Sequence, residues 1–92
     1  QGFSKMLILG DMRELGAVSE SEHRKVVEKM QEQGFDNVWF VGENFRRLNP
    51  PFPTFKDVEE VKAELTRNPV ANRLILIKGS NGTRLYELPD YL

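Results

Sequence analysis

The sequence predicts an α/β fold of the Rossmann-like, three-layer kind, a mostly parallel sheet of about four strands flanked by helices. Two observations carry that expectation. Three runs of four apolar residues, Met6-Leu7-Ile8-Leu9, Val38-Trp39-Phe40-Val41 and Leu74-Ile75-Leu76-Ile77, are each bounded by glycine or polar residues. Continuous runs of this length belong to strands covered on both faces, whereas a half-solvated strand alternates apolar with polar residues. Between the runs lie segments with helical spacing and helix-capping chemistry, so strands and helices alternate along the chain.

The elements follow in order. After the first apolar run, Ser19 and Glu22 form an S-x-x-E capping box that predicts a helix N-cap at Ser19. Gly34 fits the C′ position of that helix, which makes Met30 and Phe35 the apolar pair of a Schellman ending. His23, Val26, Val27 and Met30 share one helical face, expected to lie on the sheet. The second apolar run is the next strand, with Trp39 in the core by position. Glu43 to Leu48 has the composition of a short helix. Pro50, Pro51 and Pro53 then leave only a brief strand around Thr54-Phe55, confined by its prolines to a sheet edge. Asp57 with Glu60 caps a further helix, whose stripe is Val58, Val61 and Leu65 and which closes through Thr66 and Arg67 at Asn68-Pro69. The last apolar run is the fourth strand, and Pro89 is expected to split the final segment from Asn81 to Leu92. Right-handed crossovers make 3-2-1-4 the most economical strand order. The fourth strand reads as buried on both faces although that order leaves it at an edge, which points to a neighbouring strand in a longer parent chain.

Length and composition narrow the function. A chain of 92 residues forms one domain. Cysteine is absent, which excludes a disulfide framework, a thiolate nucleophile and a cysteine zinc site, and fits a reducing compartment. With 13 basic residues, 14 acidic residues, one histidine and no long block of one sign, no nucleic-acid partner is expected. The apolar runs fall far short of the roughly 20 residues needed to cross a bilayer, so no membrane segment is expected. Gln1-Gly2 reads as the remnant of a cleavable tag, leaving residues 3–92 as the domain. The sequence holds no G-x-x-x-x-G-K-[ST] phosphate loop, no G-x-G-x-x-G after the first strand and no cluster with metal-ligand spacing.

In open α/β sheets ligands bind beyond the carboxyl ends of the strands, where the strand order reverses. The loops expected there are Gly10-Asp11-Met12-Arg13-Glu14-Leu15-Gly16 and Lys78-Gly79-Ser80-Asn81-Gly82-Thr83-Arg84. Asp11 is suited to a ribose hydroxyl or to orienting a basic group, though aspartate is also an ordinary loop and capping residue. Arg13 is suited to a phosphate, against the plainer reading of a solvated loop charge. Lys78 ends an apolar strand, and its cation must leave the sheet toward the crevice or pair locally. Gly79-Ser80-Asn81-Gly82 offers backbone N–H groups to an anion, or is simply a capped turn. His23 reads as a packed helix residue, because no carboxylate is placed by sequence to orient it. Glu14 reads as loop charge. The crevice has the composition of half an active site.

At these loops the sequence resembles the C-terminal domain of the Mur ligases, MurF type. Leu9-Gly10-Asp11-Met12-Arg13-Glu14-Leu15-Gly16 with Ser19 and His23 is similar to that domain's G-D-M-x-E-L-G-x-x-S-x-x-x-H signature, and Ile77-Lys78-Gly79-Ser80 to its V/I-K-G-S. The resemblance implies a cytoplasmic, bacterial, three-domain enzyme of peptidoglycan synthesis. Its N-terminal domain binds the UDP-MurNAc-tripeptide and its central domain holds ATP and Mg²⁺. The third domain closes the site around the incoming D-alanyl-D-alanine, whose amine attacks a carboxylate activated as an acyl phosphate. By position, Asp11 and Arg13 correspond to the loop facing the nucleotide, and Lys78, Ser80 and Asn81 to the loop facing the amino substrate. The family's upstream strand, with its D-x-Y-N-A-N-P motif, is not in this sequence, and the isolated chain is expected to be inactive. The alternative is a non-enzymatic receiver- or flavodoxin-like module, which needs an acidic cluster after the first strand where Asp11 stands alone. A purely structural interaction domain is a third reading.

Overall fold

The computed structural model describes residues 4–12, 15–35, 37–69, 73–79 and 83–91. Strands β1 (Ser4–Gly10), β2 (Val38–Val41), β3 (Thr54–Phe55) and β4 (Arg73–Lys78) form a sheet in the order β3-β2-β1-β4, every pair parallel. That is the order expected from right-handed crossovers, with the proline-flanked strand at one edge. Leu7 to Gly10 pair with Val38 to Val41 on one side, and Leu9 lies opposite Lys78 on the other.

Successive residues of a strand face opposite ways, so the sheet builds two cores. Leu7, Val38 and Phe40 point to the face covered by α1 (Ser19–Glu32) and α2 (Glu43–Arg47), where they meet Val27 and Phe45. Met6, Ile8 and Val41 point to the other face. There α3 (Val58–Arg67) contributes Val58, Val61 and Leu65, and a C-terminal 3-10 helix (Leu85–Tyr91) contributes Leu85 and Leu88. Each such fully buried aliphatic or aromatic side chain contributes roughly 1.5–3 kcal/mol of transfer free energy. Trp39 is half-buried rather than enclosed, its ring lying 4.9 Å from that of Phe55 at the β3 edge.

The start of α3 and the end of α1 follow local chemistry, with one exception to the expected caps. Asp57 caps α3 by accepting the Glu60 N–H at 3.1 Å, and Glu60 reaches back to the Lys56 N–H at 2.6 Å. At the end of α1 the Phe35 N–H donates to the Met30 carbonyl and the Gly34 N–H to that of Gln31, with Gly34 at φ 76°. Those two bonds make the expected Schellman motif. The exception is the start of α1. A 3-10 turn (Gly16–Val18) runs directly into the helix, so Ser19 already has helical backbone and caps nothing. Its hydroxyl lies instead 3.4 Å from Nδ1 of His23, and no capping box forms.

Two other expectations are corrected. β4 is not buried on both faces: Ile75 and Ile77 pack on the α3 side, whereas Leu74 and Leu76 are 63% and 51% exposed. They lie in register with Lys5 and Leu7, on the α1 face of the sheet, and α1 and α2 do not extend over them. Nor does Pro89 divide the final segment, which stays 3-10 helical through it. Proline's fixed φ matches a 3-10 helix, and Leu85 and Leu88, three residues apart, share the face packed on the core.

Candidate functional site

The βα loops all leave the carboxyl end of the sheet, and there a cleft of about 670 Å³ opens above β1, β2 and β3. Asp11 and Met12 line one side, Gly42 to Asn44 the middle, and Lys56, Asp57, Thr83 and Arg84 the other. The segment after β4 returns across the end of β1. A side-chain carbon built on Gly10 would lie 2.8 Å from Leu85 Cδ1 and 2.9 Å from Thr83 Oγ1, and one on Gly79 would lie 3.2 Å from the Gly10 Cα. The ends of β1 and β4 and the Thr83-Arg84 turn therefore meet at one rim of the sheet.

Asp11 is bound into this structure rather than held out to solvent. Its Oδ2 accepts the Asn44 N–H at 2.9 Å and its Oδ1 the Phe45 N–H at 3.2 Å, so the carboxylate occupies the anion position at the N-terminus of α2. A ligand's anionic group cannot take those amides while Asp11 holds them. The same commitment disfavours the receiver-like reading, which needs a free carboxylate. Gly42 makes the arrangement possible. At φ 122° it occupies a region that L side chains rarely adopt, and a side-chain carbon there would come within 2.5 Å of both Asp11 oxygens.

The cations of the cleft differ in commitment. The Arg84 guanidinium is paired with Glu59 at 2.9 Å and approaches Glu87 at 3.7 Å. Glu87 is itself bonded to Lys62 at 2.6 Å. That bond, helped by the charges of Arg84 and Lys62 and opposed by desolvation, holds the Glu87 carboxyl below the ordinary carboxylate range. The same bond, against opposing desolvation, raises Lys62 above the ordinary ammonium value. Lys56 is exposed and forms no ion pair among the described residues, which leaves its ammonium for an anionic ligand group. Among the described residues no group of three or more His, Cys, Asp or Glu side chains stands together to hold a metal ion.

The sequence-derived candidates are thus only partly reunited. Asp11 lines the main cleft. Lys78 stands at the same end of the sheet but lines a separate cavity of about 520 Å³, with Leu9, Met30, Phe45 and Lys29. That cavity is mainly apolar, and its two ammonium groups suit an amphipathic group with a negative end. Arg13, Ser80 and Asn81 lie outside the described residues. Lys56, Gly42 and Asn44 were not anticipated. The signal for them was available, since every βα loop of a parallel sheet opens at the same end, whereas the rule used considered only the loops flanking the reversal of strand order.

No family model matches the chain. Along 96% of its length it is 34% identical to the UDP-N-acetylmuramoyl-tripeptide--D-alanyl-D-alanine ligase of Rickettsia prowazekii, over 94 aligned residues. The chain is related to the MurF-type Mur ligases and carries the fold of their C-terminal domain. Among solved structures it superimposes on MurF from Acinetobacter baumannii with a TM-score of 0.71 at 24% identity over 98% of the chain. It superimposes on the MurF ligase from Thermotoga maritima, solved with ADP, with a TM-score of 0.72 at 19% identity over 97% of the chain. At those identities the two structures speak for the fold alone. The chain spans about a fifth of the length of each of these MurF proteins, 21%, 22% and 21% respectively. No helix among the described residues is long and apolar enough to cross a membrane.

Proposed function

We infer that the chain is the C-terminal domain, over residues 3–92, of an ATP-dependent ligase joining D-alanyl-D-alanine to UDP-MurNAc-tripeptide in bacterial peptidoglycan synthesis. The observation that carries this reading is the 34% identity, along nearly the whole chain, to a protein of that name. A solvent-open cleft, rich in loop charges and without a metal-ligand cluster among the described residues, is what a domain closing onto a larger enzyme would present.

In this reading the N-terminal and central domains of the same bacterial, cytoplasmic enzyme bind the UDP-linked precursor, ATP and Mg²⁺. The described residues do not fit a Mg²⁺ site, and the sequence has no phosphate loop, so no chemical step is routed through this chain. Its contribution is positional. Asp11 ties the end of β1 to α2, Lys56 and Arg84 serve the nucleotide side and Lys78 the amino substrate, and the motif match assigns Arg13 to the first role and Ser80 and Asn81 to the second. Holding reactants in line and excluding water is worth several kcal/mol of barrier without any covalent role, on the order of 7–11 kcal/mol at the upper limit.

The test is ADP formation. The full-length enzyme is expected to form ADP from ATP only when both the tripeptide precursor and D-alanyl-D-alanine are present, and the 92-residue chain alone to form none. Turnover by the 92-residue chain, or turnover by the full-length enzyme that ignores the dipeptide, refutes the reading.

A further inference from the structure

One buried titratable side chain has no part in the function proposed above. His23 is 0% exposed, and both of its ring nitrogens are engaged. Nδ1 lies 2.7 Å from the Ser19 carbonyl of its own helix, and Nε2 accepts the Met12 N–H at 3.0 Å. The carbonyl only accepts and the amide only donates, so the two bonds together fit the neutral tautomer with its proton on Nδ1. The ring is held from the side as well. Phe45 of α2 packs edge-on against it, with ring centroids 4.6 Å apart and planes at 74°.

The residue before Met12 is gripped from another direction. Asp11 bonds the N-terminal amides of α2, and its Oδ1 lies 3.8 Å from His23 Nε2. Two consecutive residues of the β1–α1 loop are thus pinned to two different helices, one through its side chain and one through its backbone. An apolar residue of similar volume at position 23 would fill the same space and leave the Met12 N–H without its acceptor. Packing alone does not call for an imidazole.

We propose that His23 is a positioning residue for the cleft: by accepting the Met12 N–H it fixes the Asp11-Met12 stretch that follows β1, so that this stretch meets the ligand already ordered. Its catalytic consequence rests on the ligase reading; its structural half does not.

The experiment compares His23→Gln with His23→Asn in the full-length enzyme. Glutamine can place an oxygen where Nε2 lies and so keep an acceptor for Met12, whereas asparagine reaches only the Nδ1 position. Amide hydrogen exchange at Met12 is expected to accelerate on the order of tenfold or more in H23N and to stay near wild type in H23Q, with exchange in α3 unchanged in both, as befits loss of one partly buried hydrogen bond. In the ADP-forming assay H23N is expected to lose about tenfold in kcat/KM, and H23Q to recover most of it. Equal exchange at Met12 in the two variants, or acceleration shared by α3, overturns the proposal, because His23 would then be only a core residue. Faster exchange in H23N with unchanged kcat/KM also overturns it. A wild-type enzyme that forms no ADP with its substrates counts against the ligase reading, and the exchange comparison still decides whether His23 positions the loop.

Discussion

The Asp11 carboxylate occupies the space that a side chain at Gly42 would need, and replacing Gly42 by alanine measures that conflict. The substitution acts in two ways. It places a β-carbon on a backbone at φ 122° and ψ 160°, at a cost on the order of 1–3 kcal/mol. The same carbon would lie within 2.5 Å of both Asp11 oxygens, so the carboxylate must leave the Asn44 and Phe45 amides. Loss of hydrogen bonds to a charged acceptor costs roughly 1.5–3 kcal/mol each, and relaxation around a part-exposed carboxylate returns some of it. Gly42→Ala is therefore expected to destabilise the chain by about 3–6 kcal/mol, a large share of the roughly 5–14 kcal/mol total usual for a domain of this size. With Asp11→Ala already present the overlap is gone, and Gly42→Ala should cost only the backbone strain of about 1–3 kcal/mol. A double-mutant cycle then gives a coupling of about 2–3 kcal/mol, the difference between the two costs. Urea unfolding followed by the fluorescence of Trp39, half-buried against Phe55, measures all four proteins. Additivity within about 0.5 kcal/mol would refute the contact, and a Gly42→Ala cost below about 1 kcal/mol would refute the strained backbone as well.

Two further predictions use the same assay. Leu65 is 2% exposed and Leu74 is 63% exposed, so Leu65→Ala should cost about 2–5 kcal/mol and Leu74→Ala less than about 1 kcal/mol; similar losses would mean that β4 is covered on both faces. Glu87 has a lowered pKa through its bond to Lys62, so its stabilising contribution is present above the unfolded carboxylate range and is lost as pH falls through the lower folded value. Melting temperature measured across that acid range should fall less steeply in Glu87→Gln than in wild type, and parallel curves would show that the bond carries no linkage.

Much of the fold was legible because it rests on local rules. The apolar runs at Met6, Val38 and Leu74 located the three longer strands, and the prolines around Thr54-Phe55 marked the short edge strand. Asp57 capped α3, and Gly34 ended α1 with the Met30 and Phe35 geometry that its position implied. The local rules failed where two elements competed for the same residues. Ser19 had the pattern of a cap, but the turn at Gly16–Val18 extended the helix past it and its hydroxyl turned to His23. Leu74 and Leu76 matched a two-sided strand, yet among the described residues no helix covers their half of the sheet.

For the site, the sequence by itself determined which end of the sheet carries the loop chemistry, since parallel strands joined by helices send all their βα loops to one rim. The resemblance to the Mur ligases set Asp11 and His23 in one signature, although the residues alone gave His23 no partner. Only the tertiary structure decided what those two residues do: Asp11 caps a helix 33 positions along the chain, and His23 accepts an amide 11 positions back. Only the tertiary structure separated Lys78 from the cleft that Asp11 lines and brought Lys56 into it. Capping boxes, apolar runs and turn residues act across a few neighbours and leave a readable pattern. A hydrogen bond between distant segments depends on how strands and helices pack together, and that placement leaves no local trace.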